Sequence, residues 1–219
     1  MFDNLESFGV GLTSFALDAN VTWPFVLYPD FQVKGILSNE ATGSHTLTLN
    51  PIVYPQDIET WSKWSVANSG WMETAHERDK TVHEELYELE YHETDVYHDE
   101  SLRWNVTGIT PFVWKESNNS DGSVSRVPVG QAKYYAPMWL NSPACDYSPL
   151  VNNDLRSWSH FEEYVDALVD LDHAVLTEVV DATYLRTNYD SRFDPAEQEE
   201  PHSYLLVSFY SWEMYHMCC

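Results

Sequence analysis

The sequence predicts an α+β fold with one mainly antiparallel sheet and helices packed mainly on one of its faces. Three observations support this class. Apolar residues recur at helical spacing in some segments, they alternate at strand spacing in others, and the two patterns are intermixed along the chain. Intermixed helices and antiparallel hairpins are typical of an α+β domain, and a chain of 219 residues can bury a sizeable core.

A long N-terminal helix is predicted over residues 2–16, where apolar side chains recur every three or four residues. Because no N-cap residue precedes this pattern, we expect the helix to be a fragment whose upstream part is missing. Asn20 and Pro24 end the helix, and residues 23–33 (WPFVLYPDFQV) are predicted to be extended. The apolar stripe of the helix consists of Phe2, Leu5, Phe8, Leu12 and Phe15.

The central part of the chain carries strand patterns on both sides of a helix. Residues 46–53 (TLTLNPIV) predict a strand, in which Pro51 favours an edge position or a bulge. Residues 108–115 and 123–129 predict a hairpin around the turn ESNNSDGS. Between them, Pro55 and Asp57 begin a helix. One face of this helix is predicted to hold Ile58, Trp61, Ser65 and Val66.

The C-terminal part begins with a predicted strand rich in aromatic residues, 131–143 (QAKYYAPMWLNSP). A helix is predicted from Ser157 to Asp170, with Ser157 or Ser159 as its N-cap. Residues 174–185 and 202–210 predict two further strands, separated by the polar segment 188–201. The buried face of the predicted helix consists of Phe161, Val165, Leu168 and Val169.

The 35 acidic and 11 basic side chains give the chain a net charge of −24. At this charge, long-range repulsion opposes binding to DNA, RNA or an anionic membrane, so nucleic acid is excluded as a partner. No apolar run is long enough to span a bilayer, and the N-terminus lacks a signal-peptide pattern. Cys145, Cys218 and Cys219 indicate no disulfide framework, and their disulfide state stays open.

Residues 73–100 are interpreted as an acidic, histidine-rich insert or loop. Imidazole and carboxylate groups together suit Zn²⁺, but the segment has no HExxH spacing, so we expect no metal site there. The chain also lacks a GxSxG motif, a P-loop and a GxGxxG motif. We therefore predict no catalytic residues and no cofactor. The histidines of the insert are His76, His83, His92 and His98.

The aromatic segment 131–143 is the predicted ligand site. Strand alternation places Tyr135 and Trp139 on one face with Pro137, and Tyr134 and Met138 on the other. Aromatic rings offer flat apolar walls, and their O–H and N–H groups offer polar contacts. We predict ligand contacts at Tyr135, Met138 and Trp139. The alternative is that these side chains only pack in the core of a central strand.

Three segments match the N-glycosylation acceptor pattern, and their asparagines are Asn20, Asn105 and Asn118. Chance alone predicts roughly two such matches in a chain of this composition. The pattern is therefore compatible with an extracellular protein but does not require one.

Several segments, taken in order, resemble the sensor region of diatom receptor-type guanylate and adenylate cyclases. They cover most of the chain, from FDNLESFGVGLTSFALDANVTWPFVLYPDFQVKG and TLTLNPIVYPQDIETWSKWSVAN to YYAPMWLNSP, NNDLRS, HFEEYVDAL, AVLTEVVD and EEPHSYLL. The resemblance implies a non-catalytic, extracellular, CHASE-like or PAS-like sensor domain. In that family, membrane helices flank the sensor and a cytoplasmic cyclase domain follows it.

The resemblance also implies that residues 1–219 form a single sensor-like domain, incomplete at both ends. Its partner would be a small-molecule or peptide ligand of unknown identity, and its link to a membrane would run only through the missing flanking helices. A homodimer through the N-terminal helix is also expected. Without the missing parts, an apolar patch should be partly exposed and support association. Its members are Phe2, Phe8, Val207, Phe209 and Trp212.

Two other functional classes stay open at this point. One is a free acidic enzyme, secreted or cytoplasmic, whose site is assembled from scattered residues. The other is a protein-interaction module that uses an aromatic surface. The reading frame on either side of the chain separates the receptor class from both, since only a receptor cyclase requires a membrane-spanning segment and a cyclase domain nearby.

Overall fold

The computed structural model shows a mixture of helices and antiparallel strands, as predicted. Its chain groups into two compact units, Met1–Leu155 and Arg156–Cys219. Predictions about Asn105, the three cysteines, residues 76–100 and the strand residues Val207, Phe209 and Trp212 lie outside the described residues. The structure describes residues 2–42, 47–75, 109–120, 124–142, 150–158, 161–171, 180–181 and 203–204.

The first unit begins with two helices, α1 (Phe2–Asp18) and α2 (Phe31–Thr42). Helix α1 confirms the N-terminal prediction, and Phe8 is half-buried as expected. Helix α2 begins inside the segment that was predicted to be extended, so that prediction is wrong from Phe31 onward. The buried residues of α2 include Gln32, Gly35 and Ser38, so its inner face has no apolar stripe to indicate a helix.

The described strands form three separate two-stranded antiparallel sheets, and the single sheet predicted from the sequence is absent from this part of the chain. Strand β1 (Leu47–Leu49) pairs with β4 (Leu140–Ser142). Strand β2 (Trp114–Asn118) pairs with β3 (Val124–Pro128), and β5 (Val180–Asp181) pairs with β6 (Ser203–Tyr204). Beyond β1, pairing resumes only at an isolated bridge from Val53 to Tyr135.

Prolines explain why the predicted strands are short. Pro51 and Pro137 lack the N–H that a sheet ladder requires, and they lie next to the gap between β1 and the Val53–Tyr135 bridge. The predicted hairpin is confirmed, but its first strand begins at Trp114 rather than near residue 108 and continues through Asn118. The turn is therefore shorter than the polar run ESNNSDGS indicated.

Helix α3 (Ile58–Ala67) confirms the central helix and directs two residues into the core. Trp61 and Ser65 are completely buried, whereas Val66 is 40% exposed and does not share their face. This difference follows from helical geometry, because Trp61 and Ser65 lie one turn apart and Val66 is rotated by about 100° from Ser65. Trp61 packs edge-on against Trp139, which is also fully buried, with the two ring centroids 5.5 Å apart.

The turn formed by Val151, Asn152 and Asn153 connects the parts of this core. Asn152 has a left-handed backbone (φ 67°) and is completely buried. Its Oδ1 accepts a hydrogen bond from Trp61 Nε1 at 3.0 Å, and its Nδ2 donates to Ser65 Oγ and to the Thr110 carbonyl, both at 2.9 Å. One amide therefore connects α3 to the segment that leads into β2.

The main chain of the same turn also forms hydrogen bonds to the two neighbouring segments. Trp114 N–H donates to the Asn152 carbonyl at 2.9 Å, and Asn152 N–H donates to the Met138 carbonyl at 2.8 Å. Met138 N–H donates to the Asn153 carbonyl, and the Asp154 carboxylate accepts from Ala136 N–H, both at 2.8 Å. The turn thus holds β2 and the aromatic segment against each other.

The second unit contains α4 (Glu162–Leu171), which follows the 3₁₀ helix Leu155–Ser157. Phe161, Val165 and Leu168 are buried, as predicted, and Val169 is only partly buried. The helix begins later than predicted, since Ser157 lies in the 3₁₀ helix and Ser159 falls outside the described residues. The Arg156 guanidinium contacts Glu162 at 3.3 Å and Asp166 at 3.1 Å, and so pairs with the acidic first half of α4.

Replacing Asn152 tests the role of this turn. Asn152→Gly keeps the left-handed backbone but leaves the Trp61 indole N–H and the Thr110 carbonyl without their partner, so we expect the free energy of unfolding to fall by about 2–4 kcal/mol. The free energy of unfolding of the Asn152→Ala protein should be about 1 kcal/mol lower still, because alanine is strained at positive φ. Urea unfolding measures both.

Asn118→Ala is the matched control, because Asn118 is exposed at the end of β2 and should change stability by less than about 0.5 kcal/mol. A stability of Asn152→Gly equal to that of the control would contradict the assigned role of the turn.

Candidate functional site

The aromatic segment that the sequence predicts as a ligand site lies in the interior. Tyr135 and Trp139 belong to the main apolar core, and Tyr134 and Met138 are buried outside that cluster. This distribution agrees with the predicted alternation of the two faces. Residues 134–142 are all buried, so both faces of the segment are covered.

Trp139 lies at the centre of an aromatic cluster. Its ring centroid is 5.1 Å from that of Trp64, 5.5 Å from that of Trp61 and 5.8 Å from that of Trp71. The indole N–H donates to the Val26 carbonyl at 2.8 Å. Both the faces and the polar group of this side chain are therefore occupied by the protein itself.

The hydroxyl of Tyr135 is also occupied. It donates to the Gly130 carbonyl at 3.0 Å and accepts from the Ala132 N–H at 3.3 Å, so it fixes the loop that follows β3. Backbone hydrogen bonds in both directions join Tyr135 to Val53. These contacts assign packing and positioning roles to Tyr135, Met138 and Trp139, and ligand contact at the three residues stays a prediction.

An open groove lies between α1 and α2, away from the aromatic segment. It has a volume of about 330 Å³, close to the lower end of the range for small-molecule sites. Phe8 and Leu37 give it apolar walls, and Leu37 is 60% exposed at its edge. The remaining lining residues are Ser7, Lys34 and Ser38.

The helices hold these lining residues in place through buried contacts. The Phe8 ring packs edge-on against Tyr28 at 5.8 Å and against Phe31 at 5.6 Å. Gly35 brings α2 so close to β4 that an added Cβ would overlap the side chain of Ser142. Gln32 adds a side-chain hydrogen bond to the Asn141 carbonyl, which fixes α2 against β4.

Lys34 is the charged residue of the groove. Its Nζ donates to the Pro29 carbonyl at 2.9 Å and lies 3.9 Å from the centroid of the Tyr28 ring. Among the described residues, no carboxylate forms an ion pair with Lys34. Lys63 differs, because it pairs with Glu59 at 2.6 Å and lowers the pKa of that carboxyl by its hydrogen bond and its charge.

Two of the three glycosylation candidates can be located. Asn20 is exposed in the left-handed turn that ends α1, with φ 52°, and Asn118 is exposed at the end of β2. Both side chains are accessible to modification. Asn105 lies outside the described residues.

The described residues contain no group of three or more His, Cys, Asp or Glu side chains placed to hold a metal ion. The four histidines of the predicted insert lie outside them. In the same residues, no helix is both long and apolar enough to cross a bilayer.

Sequence reasoning missed the groove because it missed α2. The signal available was weak. Pro29-Asp30 is a turn pair before Phe31, and Lys34 is the one basic residue between Met1 and Lys63. Neither feature identifies a site without the neighbouring helix. The turn at Asn152 was also missed as a core element, although a polar triplet between Leu150 and Leu155 is unusual for a buried segment.

A comparison of two tryptophans tests the role of Trp139. Trp139→Phe keeps a ring in the cluster but leaves the buried Val26 carbonyl without a donor. We expect it to lower the free energy of unfolding by about 1–2 kcal/mol more than Trp64→Phe does. Trp64 is the matched control because it contacts the same ring from a half-buried position.

Chemical denaturation of the two variants gives the comparison. Equal stabilities, or a Trp139→Phe protein that is as stable as the parent, would contradict a packing role for Trp139.

No protein family, no curated protein and no solved structure matches this chain.

Proposed function

We propose that this chain is a non-catalytic, extracellular ligand-sensing domain of a receptor-type nucleotide cyclase. The observation that carries the sensing role is the open groove between α1 and α2, which combines two apolar walls with a charged residue and whose volume of about 330 Å³ lies at the lower end of the range for small-molecule sites. The resemblance of the sequence to the sensor region of diatom receptor cyclases supplies the receptor context. The ligand is a small molecule or peptide, and the parent protein is the enzyme.

Other features support the extracellular part of the proposal. Asn20 and Asn118 are both exposed within acceptor patterns, as glycosylation requires. A net charge of −24 disfavours partners that are themselves strongly negative, such as nucleic acids and anionic membrane surfaces. The membrane link in this proposal runs only through helices outside the chain.

The finer fold type is part of the same proposal. A PAS-like or CHASE-like domain has helices packed on a sheet, and the pairs β1–β4 and β2–β3, which are separate two-stranded sheets in the described residues, would lie side by side in it. The Asn152 turn supports this arrangement, because it hydrogen-bonds both Trp114 in β2 and Met138 just before β4.

Sequencing the transcript on both sides of this reading frame tests the receptor proposal. We expect an apolar segment of at least about 18 residues next to the frame, followed by a cyclase catalytic domain. A transcript that encodes neither would overturn it in favour of a free acidic enzyme or a protein-interaction module.

Self-association through α1 is the second part of the proposal. Six large apolar side chains are exposed among the described residues, and five of them belong to α1, α2 or their connection. Residues 7–17 of α1 carry no charge, so this stretch adds no local repulsion between two copies with a charge of −24. The five are Val10, Leu17, Leu27, Val33 and Leu37.

The size of this surface predicts a weak dimer. It offers five apolar side chains, of which Leu37 is the most exposed at 60%. This is fewer than the roughly 20–30 residues per side of a standard-size specific interface. A dimer should therefore form at micromolar to millimolar concentrations rather than below them.

Sedimentation velocity of the full chain across this concentration range tests the dimer. Val10→Gln and Leu17→Gln together should abolish it, and Val66→Gln should not, because Val66 is similarly exposed on α3. Added salt should strengthen the dimer by screening the repulsion between the copies.

A chain that stays monomeric throughout would contradict self-association. Binding of the monomer to vesicles of neutral lipid through Val10 and Leu17 would also contradict it, because the surface would then bind a membrane instead of a second copy.

A further inference from the structure

We propose that the groove between α1 and α2 binds a small amphiphilic carboxylate, with its apolar part between Phe8 and Leu37 and its carboxylate at Lys34. This inference rests on the proposed sensing role, which does not name a ligand. It is carried by the geometry of Lys34, which holds a positive charge beside two apolar walls.

The charge of Lys34 is available to a ligand. Lysines in a chain with 35 acidic residues commonly find a carboxylate, as Lys63 does with Glu59. Among the described side chains, Lys34 instead contacts a carbonyl oxygen and an aromatic face, and neither neutralises it. Its ammonium has three donors, and the Pro29 carbonyl uses one of them. Hydrogen-bonding capacity and charge are therefore available for an anionic ligand.

The Tyr28 ring sets the position of the Lys34 charge. The Lys34 ammonium lies against the Tyr28 ring, and the Phe8 ring packs edge-on against the same ring. Tyr28 therefore holds the cation next to the apolar wall of the groove. Because the Tyr28 side chain is buried, this placement is set before a ligand arrives, which lowers the entropy lost on binding.

The net charge of the protein and the volume of the groove limit the class of ligand. A strongly charged anion without an apolar part would meet the repulsion of the whole molecule, with its net charge of −24. At physiological salt, charges beyond about 8 Å are largely screened, so the local charges are those of Lys34 and of Asp30, one helical turn before it, beside the apolar walls. A ligand with one carboxylate on an apolar body carries little negative charge for the protein to repel, and it can contact both Lys34 and the apolar walls. A volume of about 330 Å³ admits a body on the order of a dozen heavy atoms.

Ligand-observed NMR with phenylbutyrate and phenylbutanol tests the site in the full chain. The two probes differ only in the carboxylate that one carries in place of an alcohol. A ligand of this size in an open groove should bind with a Kd on the order of a millimolar. We expect the parent protein to bind phenylbutyrate more tightly than phenylbutanol.

Three variants separate the contributions. Lys34→Gln should weaken phenylbutyrate binding by about fivefold and leave phenylbutanol binding unchanged, since only the charge contact is lost. Leu37→Ser, at a mostly exposed position, should weaken both probes. Lys63→Gln is the matched control, because it removes a lysine outside the groove and should change neither.

The inference is overturned if the parent protein binds neither probe, if the alcohol binds as tightly as the carboxylate, or if Lys34→Gln affects both probes equally. These results would leave the receptor proposal intact, because that proposal is decided by the neighbouring reading frame. A transcript without a cyclase, in turn, would leave the carboxylate site of the groove standing.

Discussion

The fold of the first unit depends on one buried amide, that of Asn152. Its side chain hydrogen-bonds Trp61 and Ser65 of α3 and the carbonyl of Thr110, and its backbone bonds Trp114 and Met138. A buried amide is costly unless both its oxygen and its nitrogen form hydrogen bonds. The Asn152 amide has these partners only when α3 and the Thr110 segment lie in their observed positions, so most alternative packings are excluded. The large indoles around it supply apolar burial, and the amide determines their relative positions.

The α1–α2 layer depends on the same core through a second buried contact. Trp139 follows the segment that the Asn152 turn fixes, and its indole N–H bonds the carbonyl of Val26 in the connection between α1 and α2. Pairing of β4 with β1 and the close approach of Gly35 to Ser142 then fix α2. The groove beside Phe8 is therefore built on helices that these buried contacts hold against the core, although the groove itself is open to solvent.

The sequence predicted those elements whose apolar residues carry a clear period. The stripe of α1 and the alternation at Trp114 and Tyr135 led to correct elements, because burial there is apolar and one-sided. Helix α2 and the Asn152 turn could not be predicted in this way. Their buried faces contain Gln32 and Asn152, whose side chains reach the Asn141 carbonyl and Ser65 only when distant segments are already in place. Likewise, Lys34 becomes recognisable as part of a site only once Tyr28 and Phe8 are placed beside it.

The distribution of charge connects these structural features to the proposed sensing role. In a molecule with 46 charged side chains and a net charge of −24, most exposed surfaces repel a second copy or an anionic ligand. Residues 7–17 of α1 and 31–38 of α2 form an exception, since Lys34 is their one charge. Within these two ranges the exposed apolar side chains lie beside a single cation, and Asp18 and Asp30 flank them at the end of α1 and just before α2. Ligand binding in the groove and self-association would then involve the same two helices and would share Leu37, and this shared location gives a sensor domain a direct way to couple one event to the other.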